Sequence, residues 1–186
     1  MNLRVLQIRT DALSAEYIYS KKLGQLSVLN TTINVLSIIL PILITACLLI
    51  LKGGEYESIA NNSSIAISAI LLSLVVFANI IHINTKNESY LIGRRSNIYV
   101  GNEALKLLNK TDSELEWFYN HLVEMDSKDK ENIGNASLKL RQAAYRDSLK
   151  RLHPGLNNTT CSICGASPFV YKKGDCQVCG NTPTRK

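Results

Sequence analysis

Charge is missing from two long stretches of this 186-residue chain. No Asp, Glu, Lys or Arg lies between Leu23 and Leu51, and none between Ser58 and Thr85. Histidine is scarce: His82, His121 and His153 are scattered, and HExxH, GxSxG and phosphate-cradling glycine motifs are all missing. Those absences argue against hydrolase, metalloprotease and nucleotide-cleaving chemistry, so no enzyme is expected. His121, between Tyr119 and Leu122, reads as a surface or packing residue rather than a base.

What fills the uncharged stretches is apolar. A bilayer core needs about 20 such residues in a helix. TTINVLSIILPILITACLLIL (31–51) and SIAISAILLSLVVFANIIHIN (64–84) both qualify. The mean hydropathy of +0.02 hides this by averaging an apolar first half with a charged second half. Two core helices of a soluble protein are the alternative, but so short a chain lacks a globular shell to cover them. The first run begins too late and runs too long for a cleaved signal peptide, and no small-residue cleavage site follows it. The expectation is a two-span membrane protein in contact with the lipid bilayer.

Basic residues give its orientation. Arg4, Arg9, Lys21 and Lys22 precede the first span, and Lys86, Arg94 and Arg95 follow the second. The connector LKGGEYESIANN sets Lys52 against Glu55 and Glu57. Positive flanks stay inside, so both termini are expected in the cytosol of a bacterial inner membrane.

The expected fold is mainly α. Residues 1–30 form an N-terminal amphipathic helix, with Ala12, Ala15, Tyr19, Leu23 and Leu26 on one face. Residues 31–85 form the two-span hairpin, and 86–153 a cytosolic helical region. There Leu91, Ile98, Leu105 and Leu108 form a stripe, and that segment lies antiparallel to the leader. Thr111–Glu114 is a capping box opening a helix with Leu115, Phe118, Tyr119, Leu122 and Met125 inside; DSKDKENIGN (126–135) breaks it. A last helix, about 136–152, carries Leu138, Tyr145, Leu149 and Leu152 on one face, and His153-Pro154-Gly155 stops it. LNNTT links it to the final module.

That module, 158–183, holds four of the five cysteines. Cys161, Cys164, Cys176 and Cys179 are spaced C-x2-C-x11-C-x2-C. In a reducing compartment paired CxxC motifs signal metal rather than disulfides, and four thiolates suit one tetrahedral, structural Zn2+ with no position open for substrate. Gly165 and Gly180 follow each pair, where the chain turns sharply, and PFVYKKGD reads as a strand and turn. This is a small C-terminal zinc ribbon. The fifth cysteine, Cys47, reads as an apolar filler within a span.

Asn34, Ser37, Pro41 and Thr45 share one face of the first span, and Pro41 removes a backbone hydrogen bond at mid-depth. The second span offers Ser64, Ser68, Ala69 and Ser73 for close helix approach, with Asn79 and His82 near its cytosolic end. Two readings stand: the hydroxyls bond back to their own helices and small residues pack the hairpin, or several copies assemble around a weakly polar pore. Two spans cannot enclose a channel alone, so a pore requires a homo-oligomer.

From Lys86 onward sixteen Lys and Arg face eleven Asp and Glu. Their signs alternate in the helices, as on a solvated face. An aromatic and basic patch exists only at Phe169, Tyr171, Lys172 and Lys173, so a nucleic-acid partner is not expected.

YIYSKKLG (17–24), two spans with a short connector, and RRSNIYV (94–100) resemble the SLATT family over roughly residues 10–150. The clasp is similar to a prokaryotic group from mobile genetic elements named for the same cysteine spacing. These resemblances imply an effector of antiphage defence or mobile-element conflict that oligomerises, permeabilises the inner membrane and arrests the cell. Better-known SLATT versions carry a nucleotide-sensing domain that this chain lacks, which implies activation by a partner encoded nearby. A membrane-tethered adaptor, whose ribbon recruits a protein or nucleic acid, is the alternative.

Overall fold

A computed structural model describes residues 2–80, 82–152 and 159–184. Helices α1 (Leu3–Leu51), α2 (Glu57–Ile80), α3 (Ile83–Leu107), α4 (Glu116–Ile133) and α5 (Leu138–Leu152) account for most of it, with a 3-10 turn at Asp112–Leu115. The expected stop at His153-Pro154-Gly155 and most of the LNNTT linker lie outside the described residues. The chain forms two compact units, Leu23–Glu88 and Met1–Lys22 together with Ser89–Lys186.

In the larger unit the start of α1 pairs antiparallel with α3. The Asn2 amide donates to the Leu108 carbonyl at 2.7 Å, while at the other end Tyr19 packs on Tyr90, ring centroids 5.9 Å apart. Val5 and Ala12 join Val100, Ala104, Leu115, Phe118 and Met125 in one core cluster. Of the expected stripe Leu91, Ile98, Leu105 and Leu108, only Leu108, just past α3, packs on the core, and Leu91, Ile98 and Leu105 do not form the buried face of α3. Those residues stay 36%, 36% and 49% exposed, and Asn97, Val100 and Ala104 go inside instead. Small residues win because α1 sits close: a β-carbon at Gly93 would overlap the Tyr19 ring.

α4 follows the expected stripe, with Leu115, Phe118 and Met125 buried and Tyr119 and Leu122 packed beside them. At its start the Glu114 carboxylate accepts from the Thr111 amide at 3.0 Å and from its hydroxyl at 2.9 Å. DSKDKENIGN does not break the helix at 126; α4 continues to Ile133 and ends at Gly134. The polar segment stays helical because it has tertiary partners. Asp129 accepts from Tyr19 Oη at 2.6 Å and from Asn97 Nδ2 at 2.9 Å. Lys22 Nζ reaches the Asn132 carbonyl at 3.1 Å and Asn135 Oδ1 at 2.8 Å. A cavity of about 310 Å3 opens here, with Asp11, Asp126, Asp129 and Arg141 among its lining.

α5 buries Ala144, Ser148 and Leu149, and Leu138 stays exposed, contrary to the expected face. Its Arg151 pairs with Glu16 of α1 at 2.7 Å.

In the smaller unit α1 and α2 are each long and apolar enough to cross a membrane. Residues 23–51 of α1, which carry the first apolar run, exceed the length that a hydrocarbon core of about 30 Å requires at about 1.5 Å per residue. Pro41 lies inside the helix. α2 begins at Glu57, within the expected connector. Gly53, at φ +79°, turns the chain there, and its amide donates to the Glu57 carboxylate at 2.7 Å. α2 ends at Ile80, and His82 takes a left-handed φ of 52°.

Candidate metal centre

Each CxxC pair closes a tight knuckle. The Gly165 amide donates to the Cys161 carbonyl at 2.9 Å and the Gly180 amide to the Cys176 carbonyl at 2.8 Å. Both glycines sit at φ +72°, the left-handed conformation expected of them. The knuckles face one another, and all four cysteines are buried. Their sulfurs lie within 4.8 Å of one another, with Cys164 and Cys179 at 3.4 Å. A tetrahedron with Zn–S bonds of about 2.3 Å needs sulfurs about 3.8 Å apart, so the four fit a single metal ion.

A family of proteins defined by this spacing, the mobilome CxxCx(11)CxxC proteins, matches the chain over residues 2–182. The chain belongs to that family. No curated protein and no solved structure matches it. The match extends from the start of α1 through the second knuckle, so the family includes the apolar helices and the helical unit as well as the cysteines.

The interior of the ribbon is held by hydrogen bonds rather than by a sheet. Among the described residues the expected strand is reduced to one bridge, Lys173 with Asn181. Buried Asn181 supports it: Nδ2 donates to the Ser167 and Val170 carbonyls at 3.0 and 3.4 Å, and Oδ1 accepts from the Lys172 amide at 3.2 Å. Burial pushes the thiols of Cys164 and Cys179 up. Against the same push, the backbone amides of Cys179 and Val178 hold Cys176 down at about 6. A bound divalent cation would hold all four as thiolates.

α5 supplies one wall of the centre. Tyr145 packs against the cysteine cluster, and its hydroxyl lies 3.4 Å from that of Ser162. The aromatic and basic patch is partly engaged by the same helix. Arg146 lies over the Tyr171 ring at 4.2 Å and Lys150 over Phe169 at 6.0 Å. Sequence reasoning missed Gln142, Arg146 and Asn181. Each acts through backbone carbonyls or amides, which leave no mark in residue spacing.

The residues singled out on the apolar helices differ in exposure. Asn34, Pro41 and Thr45 are exposed, whereas Ser37 is half-buried. The hydroxyls of Ser37, Thr45, Ser64 and Ser73 donate to Ile33, Pro41, Asn61 and Ala69 carbonyls at 2.7–2.8 Å. Ser64 joins Cys47 in lining an apolar cleft of about 340 Å3 between α1 and α2, while Ser68 and Ser73 are exposed. Of the histidines, His121 sits edge-on to Tyr99 at 6.1 Å, and His153 lies outside the described residues.

Proposed function

We propose that this chain is an oligomerising effector of the bacterial inner membrane, acting in antiphage defence or mobile-element conflict, with both termini in the cytosol. It permeabilises the membrane once its cytosolic unit is engaged, and zinc in the ribbon is a structural part of that unit. The observation that carries the reading is the smaller unit. It offers two helices of spanning length whose apolar windows are almost wholly unburied, so lipid or further copies must cover them. Asn34, Pro41 and Thr45, exposed, and half-buried Ser37 recur at three- and four-residue spacing along α1 and would line the surface where copies meet. Hydroxyls bonded back to their own helix keep lone pairs outward, giving a weakly polar lining.

Two further features support assembly and control. Leu91, Ile98 and Leu105 leave an exposed apolar stripe with a seven-residue repeat on α3, suited to a second copy. Membership of a mobilome family and the SLATT-like order of leader, two spans and cytosolic helices support the conflict setting. Permeabilisation is tested with vesicles of anionic bacterial lipid holding a self-quenched dye. Wild type co-reconstituted with the products of its neighbouring genes and exposed to phage lysate releases the dye, and Thr45→Leu under the same conditions releases it at least about tenfold more slowly. Dye retention by an inserted, folded wild type with those components present contradicts the reading.

The second reading, a membrane-tethered adaptor, is favoured by one observation. Ile163, Val170 and Tyr171 stay more than half exposed on the ribbon beside Lys172 and Lys173, a surface suited to a protein partner.

A further inference from the structure

Gln142 and Arg146, four residues apart on α5, both donate to the second knuckle. Gln142 Nε2 reaches the carbonyls of Cys176 at 3.2 Å and Gln177 at 3.3 Å. Arg146 Nη1 bonds to the carbonyl of Cys179. The guanidinium is fixed from its other side by the Tyr171 ring. There is no slack at this contact: a β-carbon on Gly180 would stand 2.6 Å from Gln142 Oε1 and 3.3 Å from Arg146 Nη1. Two of the four ligand residues are therefore held by a helix that belongs to the helical bundle, outside the ribbon.

Zinc held by four thiolates carries a net charge of about −2. A guanidinium at its edge stabilises that state over the metal-free, protonated one, and polarised carbonyls fix where the two sulfurs point. We infer that Gln142 and Arg146 are positioning residues of the metal centre, so that zinc affinity and the docking of α5 on the ribbon are one linked equilibrium. Linkage is reciprocal. Whatever moves α5 loosens the metal, and loss of the metal frees α5, giving the bundle a way to read the state of the ribbon. This rests on the zinc reading of the four cysteines.

The test uses the full-length protein in detergent micelles. Zinc content is measured by elemental analysis, and affinity by competition with a chromophoric chelator. Arg146→Leu and Gln142→Leu are each expected to weaken zinc binding about 10–100-fold. Both should also shift the visible bands of the cobalt-substituted protein. Lys150→Leu removes a nearby charge that lies over Phe169, and should stay within about twofold of wild type. If Arg146→Leu fails to fold, Gln142→Leu decides alone. Unchanged affinity in the folded variants of a zinc-loaded protein overturns the inference, as does an equal loss in Lys150→Leu. A wild type that purifies and reconstitutes without zinc overturns the metal reading itself.

Discussion

The Tyr19 hydroxyl donates to the Asp129 carboxylate at 2.6 Å, joining the leader half of α1 to the last turns of α4. Asn97 of α3 bonds the other carboxylate oxygen at 2.9 Å and the Gly93 carbonyl at 3.0 Å, so three helices meet at one acid. Tyr19 and Asn97 are both buried. Tyr19→Phe is therefore expected to destabilise the bundle by about 1–3 kcal/mol, the range for a buried bond to a charged group. Urea unfolding followed by circular dichroism measures it.

Gly93 is where α3 meets that tyrosine. A methyl group there overlaps the phenol ring, and Tyr19 has nowhere to move while held by Asp129. Gly93→Ala should cost about 1–3 kcal/mol by overpacking, although alanine is the better helix former. The paired substitution Gly93→Ala with Tyr19→Leu should recover part of the loss in the same unfolding assay.

Two carboxyls of this bundle, Asp11 and Asp129, should contribute more stability as the pH falls. Burial pushes the Asp129 carboxyl above its ordinary value and Asp126 adds to the push, while Tyr19 and Asn97 hold it back. Burial and then Asp126 also push Asp11 up. A carboxyl raised in the folded state binds protons there that it releases on unfolding. Stability thus rises as pH falls from neutral through the raised values, and that gain is complete below the unfolded value of 3.8. Asp126→Asn removes a charge that faces both groups. It should stabilise the neutral-pH protein by up to about 1 kcal/mol and flatten the rise in stability on acidification in denaturant titrations.

Removing the metal should open the ribbon while leaving the bundle helical. The ribbon has little apolar core beyond the cysteines and Ala166, so a metal bound by the four thiolates would supply much of its folding free energy. Chelation, or Cys161→Ser with Cys176→Ser, is expected to expose Lys172 and Lys173 to trypsin at least about tenfold faster. Far-ultraviolet circular dichroism should change little. Lowering the pH should have the same effect, because protons compete with the metal for thiolates.

The sequence made legible whatever depends on local pattern. The face of α4, the Thr111–Glu114 box, the knuckle glycines and the two apolar runs are all visible in residue order. Features that depend on partners were not. Leu91, Ile98 and Leu105 look like a buried stripe. The close approach of Tyr19 to Gly93 turns α3 onto Asn97, Val100 and Ala104 instead. DSKDKEN looks like a break, but Asp129, Asn132 and Asn135 answer side chains more than a hundred residues earlier in the chain. In the metal centre the four cysteines declared themselves, while Gln142 and Arg146 looked like ordinary surface residues of a charged helix.

The most direct measurement is membrane potential in bacteria, followed with a voltage-sensitive dye after inducible expression of wild type and Thr45→Leu alongside the native genomic neighbours. The account predicts depolarisation by wild type upon phage challenge, and a polarised membrane with Thr45→Leu at equal expression. A membrane that stays polarised with wild type, neighbours and phage all present would contradict it and leave the tethered adaptor in its place.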